Sequence, residues 1–347
     1  MATPGDNLLE VESLRVSFRT EAGTARVLDG VNLALRAGEI MGLVGESGCG
    51  KTTLANAILG ILAANARHEA GRIRFAGEDL LTMPRRRMED EVRGRRITFI
   101  PQDPYGSFNP LFTVGAQTFE VMKWKSPLRA PGAGRGIAGF LSRYPRARRR
   151  TDAKAIAQML RAVQMPDPAA VAGKLPHEFS GGQRQRLMIA LALLPQPRLV
   201  VADEPTTALD VTIQAQILKL LKELAKSGGI SVLLTTHDLG TAYEICDRIT
   251  VMYAGQVVET APVDDFFRRP HHPYTVRLLD SLPRPGRALS EIGGEVPRLI
   301  DPPAGCRFHP RCTRATAICR SEHPPVTQLA SGHEVRCYHP LTEAAPP

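Results

Sequence analysis

The chain has 347 residues, of which 43% are hydrophobic and 23% are charged, and its formal net charge is +9. This composition excludes a disordered or fibrous chain, and the length favours two or three structural units. No apolar run reaches the roughly 18 residues of a membrane-spanning helix, and no basic segment followed by an apolar one marks a secretory signal. We therefore expect a cytosolic protein that reaches a membrane only through partners.

The N-terminal part of the chain reads as strands that lead into a glycine-rich loop. Residues alternate between apolar and polar from Leu8 to Phe18, and Val31–Leu35 and Ile40–Val44 are apolar runs typical of strands. The loop Gly45-Glu46-Ser47-Gly48-Cys49-Gly50-Lys51-Thr52 follows and fits the pattern G-x-x-x-x-G-K-[ST], and the helix-compatible run Thr53–Leu59 comes next. The sequence therefore has the strand, loop and helix that a phosphate-binding loop requires.

The chemistry of this loop follows from its residue types. Glycines let the backbone curl so that N–H groups point at an anion, and the helix N-terminus attracts the same anion. Lys51 is expected to reach the β- and γ-phosphates of a nucleotide, and Thr52 to place its hydroxyl on Mg²⁺. The loop predicts a nucleotide-phosphate site.

Segment 126–150 interrupts a stretch, 113–194, that is otherwise helical in pattern. Ten lysines and arginines and one acidic residue lie between Lys123 and Lys154. Such a charge run suits nucleic acid or an anionic membrane surface, but a solvated face is an equally good interpretation. Because the segment is also rich in Gly and Pro, we predict a mobile insertion there.

Two further motifs follow this insertion. Ser180-Gly181-Gly182-Gln183 is a small-residue turn that opens a helix and offers a second anion-binding N-terminus. The apolar run Leu199–Ala202 suits a parallel strand covered on both faces, and it ends in Asp203-Glu204. Asp203 suits a carboxylate linked to Mg²⁺, and Glu204 suits a carboxylate that orients the attacking water. Alternatively, the two residues are an acidic strand end that merely caps the next turn.

The last third of the chain continues the alternation of helices and strands. Thr212–Lys226 is an amphipathic helix in pattern, Ile230–Thr236 is a buried strand that ends at His237, and Ala254-Gly255 joins the two strands of a hairpin. Four of the six cysteines then fall in the last 42 residues: Cys306, Cys312, Cys319 and Cys337. In a reducing cytosol, clustered thiols favour a metal over disulfides, and the spacing alone leaves zinc, an iron–sulfur cluster and a metal-free tail open.

With these motifs in this order, the sequence from about Leu8 to Pro283 resembles the ATP-binding subunits of ABC transporters. The resemblance implies an α/β P-loop ATPase with a RecA-like core, an antiparallel β subdomain and a helical signature subdomain at about 103–195. It implies a nucleotide-binding domain over 1–282, a proline-rich linker over 283–304 and a small cysteine-rich extension over 305–347.

The resemblance also assigns roles to individual residues. It implies catalytic roles for Glu204, the switch histidine His237 and the glutamine Gln102, and a Mg²⁺ ion held through Thr52, Gln102 and Asp203. The residues that it implies in ATP binding are Phe18, Gly45, Glu46, Ser47, Gly48, Cys49, Gly50, Lys51, Thr52, Thr53, Asp203, Ser180, Gly181, Gly182, Gln183 and Asp210. In this family, the signature motif of one subunit closes on the ATP of a second subunit.

A closer resemblance joins the chain to the ATPases of oligopeptide and dipeptide importers, and to their D-type subunits through Thr206-Thr207. It is carried by Pro176–Ser180, Asp203–Thr212, His271–Thr275 and the tail from Gly305 onward. Gln183 departs from the methionine of many D-type subunits. The resemblance implies a [4Fe-4S] cluster on the four tail cysteines, with zinc as the alternative.

The expected function is therefore ATP-driven import of peptides at the cytoplasmic face of the cell membrane. The implied partners are a second ATPase in a heterodimer, two transmembrane permeases and an extracytoplasmic solute-binding protein, with no nucleic acid. The alternatives are an importer of nickel, glutathione or sugar, and a soluble ABC ATPase that acts on nucleic acid or ribosomes.

Overall fold

The computed structural model describes residues 6–130, 144–207, 209–282, 292–329 and 332–341. The chain divides into two compact units, the first formed by Met1–Leu81 with Leu234–Pro347 and the second by Thr82–Leu233. Both units combine strands with helices, which confirms the α/β class. Five predicted features lie in part outside the described residues: 1–5 of the nucleotide-binding domain, 131–143 of the insertion, Ala208 of the segment before Asp210, 283–291 of the linker, and 330–331 and 342–347 of the extension.

The described strands and helices have the following bounds. The strands are β1 (Asn7–Thr20), β2 (Gly23–Arg36), β3 (Ile40–Val44), β4 (Ala66–Phe75), β5 (Glu78–Asp79), β6 (Ile97–Ile100), β7 (Leu199–Asp203), β8 (Ser231–Thr235), β9 (Arg248–Tyr253), β10 (Gln256–Pro262), β11 (Val326–Gln328) and β12 (Glu334–Arg336). The α-helices are α1 (Lys51–Leu59), α2 (Arg85–Arg87), α3 (Pro104–Ser107), α4 (Val114–Lys125), α5 (Arg146–Ala162), α6 (Pro168–Gly173), α7 (Gly181–Leu193), α8 (Val211–Gly228), α9 (Leu239–Ile245), α10 (Val263–Arg268), α11 (Pro273–Asp280) and α12 (Ala317–Ser321). A π-helical turn covers Met88–Val92, and 3₁₀ turns cover Pro176–Glu178 and His309–Arg311.

The first unit contains an antiparallel sheet in the order β2-β1-β4-β5. Strand β1 is longer than the predicted Leu8–Phe18 run, because the hairpin that joins it to β2 continues to the pair Thr20 and Gly23. Phe18 lies opposite Ala25 on one neighbouring strand and Ala66 on the other. The half-buried aromatic ring of Phe18 is thus flanked by two small side chains.

The first unit also contains strands paired in the order β11-β12-β10-β9-β3. β3 and β9 are parallel, whereas the other neighbours are antiparallel. All five residues of β3 are buried, as the continuous apolar run predicts for a strand covered on both faces. β12 pairs with β10 through Val335 and Glu259, so the C-terminal extension adds two strands to this sheet.

The second unit pairs β6 and β7 in parallel and also contains helices α4 to α8. The prediction of a mobile insertion over 126–150 is wrong at its C-terminal end, because α5 begins at Arg146. Asp152, 1% exposed, organises this region: it accepts hydrogen bonds from Ser126 Oγ at 2.8 Å and from Tyr144, and lies 3.6 Å from Arg148. One buried carboxylate therefore neutralises part of the basic run and orders it as a helix.

None of the helices in the part of the chain that the structure describes combines the length and apolarity needed to cross a bilayer.

Candidate functional site

The phosphate loop lies between β3 and α1 in the first unit. Gly45 adopts a φ of 149°, and a Cβ on it would collide with the Met252 carbonyl oxygen and come within 2.9 Å of Cys49 Sγ. Only glycine therefore fits where the loop leaves the strand. Gly50 is the N-cap of α1, and Leu54 N–H donates to its carbonyl at 2.9 Å, which starts the helix. The first N–H groups of α1 have no acceptor inside the helix, so they can serve an anion.

Lys51 holds the loop closed from within. Its side chain is buried, and Nζ donates to the carbonyl oxygens of Gly45 at 2.7 Å and Glu46 at 3.2 Å. Cys49 Sγ lies 3.8 Å from the same ammonium group, and burial raises the pKa of this thiol despite the nearby charge. The structure thus places a positive charge inside the curl of the loop, where the sequence predicts a phosphate-binding lysine.

Glu46 makes contacts that the sequence did not predict. Its backbone N–H donates to the Tyr274 hydroxyl at 3.0 Å, and its carboxylate receives two hydrogen bonds from the guanidinium of Arg311, at 2.8 and 3.1 Å. Arg311 is 265 residues away along the chain, so no local periodicity could reveal this pair. In the sequence, the segment that contains Arg311 stands out through its cysteines and its family resemblance, and neither indicates a contact with the phosphate loop.

His237 follows β8 at its carboxyl end. Thr236 N–H donates to Leu43 O at 3.2 Å, which places this end of the strand beside the end of β3. Asp238 then caps α9 by accepting from the N–H groups of Gly240 and Thr241. The exposed His237 is therefore held between a strand end and a capped helix, both in the first unit.

In the second unit, Gln102 and Glu204 are brought together. Gln102 Nε2 donates to Glu204 Oε2 at 3.4 Å, and Thr207 Oγ1 donates to the same oxygen at 3.1 Å. Glu204 adopts a φ of 45°, in the left-handed region, directly after the buried Asp203 that ends β7. Such a conformation is uncommon for glutamate and turns its carboxylate towards these two donors. Thr207 carries part of the family resemblance, but nothing in the sequence indicates its contact with Glu204.

The residues 180–183 form the start of α7. Ser180 Oγ accepts from Gln183 N at 3.4 Å, and Gln183 Oε1 accepts from Ser180 N at 3.0 Å, which is a capping box. A Cβ on Gly182 would lie 2.8 Å from Ile213 Cγ2, so this turn lies against the first turn of α8. The exposed Asp210 is the N-cap of that helix, and its carbonyl accepts from Gln214 N at 2.8 Å.

The prediction of a [4Fe-4S] cluster is wrong. The four tail cysteines line one cavity, yet no group of three or more His, Cys, Asp or Glu side chains in the described ranges is arranged to hold a metal ion. Burial raises the pKa values of Cys306 and Cys312, and it raises the pKa of Cys337 to about 11. The absence of such a group among the described residues leaves the zinc alternative unsupported as well.

Comparison with known proteins identifies what this chain is similar to. A family model described as "ABC transporter" matches residues 28–207, and one described as "Oligopeptide/dipeptide transporter, C-terminal region" matches residues 258–319. The two matches cover the phosphate loop, the Asp203-Glu204 pair and the segment that contains Arg311.

Individual proteins give the same result. The chain is 45% identical to the probable peptide ABC transporter ATP-binding protein y4tR of Sinorhizobium fredii, over 96% of this chain and 95% of that protein. It is 42% identical to the oligopeptide transport ATP-binding protein OppD of Salmonella typhimurium, over 98% and 96% of the two chains. The dimeric post-hydrolysis state of the ATP-binding cassette MJ0796, bound to ADP and Pi, is similar with a TM-score of 0.60 at 25% identity, over 74% of this chain and 98% of that chain.

Proposed function

The chain belongs to the ABC transporter ATP-binding proteins, and from this premise we propose that it hydrolyses ATP to drive the import of peptides. The observation that carries the proposal is the closed phosphate loop with the buried Lys51 at its centre. Peptides are the substrate class because both relatives are described as peptide or oligopeptide ATP-binding proteins. The match of residues 258–319 to a peptide-transporter region disfavours the nucleic-acid, ribosome, nickel, glutathione and sugar alternatives.

The residues of the phosphate loop fit a nucleotide triphosphate. Because no side chain can occupy the position of Gly45, the loop keeps an open backbone curl, and Lys51 supplies a charge for the β- and γ-phosphates. Thr52, Gln102 and Asp203 are the groups that would hold Mg²⁺, which neutralises charge that develops on the phosphate oxygens. Phe18, flanked by two alanines, is assigned to the adenine ring.

Glu204 is assigned to the attacking water. Gln102 and Thr207 both donate to one of its oxygens, which orients the carboxylate that would accept a proton or a hydrogen bond from the attacking water. His237 is assigned to the γ-phosphate end of the site. Ser180 to Gln183, with Asp210, are assigned to the ATP of a second subunit, a role supported by the dimeric cassette that this chain resembles.

The chain then acts within an assembly at the cytoplasmic face of the cell membrane. We assign it a second ATPase subunit in a heterodimer, two transmembrane permeases and an extracytoplasmic binding protein. Within the chain, we assign 1–282 as the nucleotide-binding domain, with the helical part at about 103–195, 283–304 as a linker, and 305–347 as an extension.

The test is Glu204→Gln, measured as ATP turnover and peptide uptake in proteoliposomes that contain the complete transporter. We expect ATP binding to persist while turnover and uptake fall by about 10²- to 10⁴-fold, the usual contribution of a general base. Glu223→Gln, which changes an exposed glutamate on α8, is the matched control. Turnover at the parent rate in Glu204→Gln would refute the assignment, and uptake of nickel or sugar but not of peptides would refute the substrate class.

A further inference from the structure

The C-terminal extension reaches the phosphate loop through one buried arginine. Arg311 lies in a 3₁₀ turn between Cys306 and Cys312, and its side chain is only 3% exposed. Its guanidinium faces Glu46, the second residue of the loop, whose side chain is 25% exposed. The two nitrogens Nη1 and Nη2 each donate to a different carboxylate oxygen, at 2.8 and 3.1 Å. This two-point geometry fixes the direction of Glu46 as well as its position.

Every N–H group of this guanidinium has an acceptor. Besides the two bonds to Glu46, Nε donates to Gly293 O at 3.0 Å, Nη2 to Ile292 O at 2.8 Å, and Nη1 to the Tyr253 hydroxyl at 3.4 Å. A guanidinium has five such donors, and all five are used. A lysine could supply at most three and could not form the fork. The site is therefore built for arginine.

Glu46 transmits this contact to the backbone of the loop. Its N–H donates to the Tyr274 hydroxyl at 3.0 Å, and its carbonyl accepts from Lys51 Nζ at 3.2 Å. Tyr253 and Tyr274 lie with ring centroids 4.6 Å apart, and Phe308 of the extension contacts both rings. The side chain, N–H and carbonyl of Glu46 are thus each held, and the extension supplies the side-chain contact.

We propose that Arg311 is a positioning residue for nucleotide binding, which fixes Glu46 and thereby the curl of the phosphate loop that receives the β- and γ-phosphates. The proposal rests on the proposed function, since it presumes that the loop binds ATP. It makes the extension a determinant of nucleotide affinity as well as an appendage to the sheet.

The test measures ATP and ADP dissociation constants of the full chain for Arg311→Gln, Glu46→Gln and the double variant. We expect each single variant to raise the dissociation constants of both nucleotides by about tenfold, which is within the usual range of coupling between sites. The double variant is expected to be no weaker than either single one, because both break the same contact. In steady-state assays of the transporter, KM for ATP should rise by a larger factor than kcat falls.

The matched control is Arg336→Gln. Arg336 is a half-buried arginine of the same extension whose guanidinium donates to the carbonyl of Gly30, a residue outside the loop, at 3.4 Å. The Arg336→Gln variant is expected to keep both dissociation constants within twofold of the parent values. If Arg311→Gln does not fold, Arg311→Lys serves in its place. It keeps the charge but loses the two-point contact with Glu46, so it should still weaken ATP binding.

The outcomes separate the proposals. A lower melting temperature with unchanged dissociation constants in Arg311→Gln would overturn the positioning role, and so would additive losses in the double variant. An equal loss in Arg336→Gln would show that the extension acts only through general stability and would also overturn it. A parent chain that binds neither ATP nor ADP would instead refute the proposed function, and the positioning role with it.

Discussion

Gly45→Ala tests the close approach of the phosphate loop to strand β9. Gly45 and Gly48 belong to the same loop and both have positive φ, 149° and 78°. A Cβ on Gly45 would collide with the Met252 carbonyl, whereas a Cβ on Gly48 meets nothing within 4 Å. The pair of alanine variants therefore separates the steric collision from backbone strain.

The magnitudes follow from these two environments. Gly48→Ala should lower the free energy of unfolding by about 1–2 kcal/mol, which is the strain of a left-handed residue that carries a Cβ. Gly45→Ala should lower the free energy of unfolding by about 1–3 kcal/mol more than Gly48→Ala does, because backbone atoms must move to admit the methyl group. A unit of 150–250 residues loses about 2–4 °C of melting temperature per kcal/mol, so Gly45→Ala should melt at least about 2 °C below Gly48→Ala.

The assay is thermal unfolding of both variants beside the parent, first without nucleotide and then with saturating ATP. Because the collision deforms the loop, Gly45→Ala should also lose most of the stabilisation that ATP gives the parent. Equal melting temperatures for the two variants would refute the steric argument, and so would full stabilisation of Gly45→Ala by ATP.

Three further predictions concern single side chains. Lys51→Met removes the buried ammonium and should weaken ATP by about 10- to 100-fold in equilibrium binding, as expected for a lost charged hydrogen bond; unchanged binding would contradict the role of Lys51. Thr207→Val removes a donor to Glu204 and should lower kcat about 3- to 10-fold at unchanged ATP affinity; a kcat equal to that of the parent would count against it. Burial lowers the pKa of His272 from 6.5 to about 4, so the unfolded chain binds its proton first as pH falls. The free energy of unfolding should therefore drop by up to about 3 kcal/mol from pH 6.5 to pH 4, and His272→Asn should flatten that slope in denaturant titrations whereas the exposed His68→Asn should not.

The sequence could predict those parts of the fold that depend on local patterns. The continuous apolar runs that become β3 and β7 are fully buried, as predicted, because a strand covered on both faces has no polar side to reveal. The phosphate loop and the 180–183 turn were found because glycine and capping requirements are local.

Contacts between distant segments could not be predicted in the same way. The pairing of Glu46 with Arg311, and that of Glu259 with His333 at 2.6 Å, join residues 265 and 74 positions apart. Neither pair produces a periodic pattern in the sequence. The cysteine spacing predicts four thiols near one another but not whether the fold arranges them as a ligand group, and among the described residues it does not.

The capping box at the start of α7 determines whether the Ser180 hydroxyl acts as a hydrogen-bond acceptor or as a donor. Its oxygen already accepts from the N–H of Gln183, and this bond leaves the hydroxyl hydrogen undirected. A serine in this state is polarised as a donor towards whatever lies beyond the helix end, and an anion is the ligand that such a donor prefers. Threonine would keep this polarity, whereas asparagine would cap the helix equally well but present no hydroxyl hydrogen. The same residue thus begins a helix and carries a hydroxyl donor suited to a phosphate, as its proposed role towards a second subunit requires.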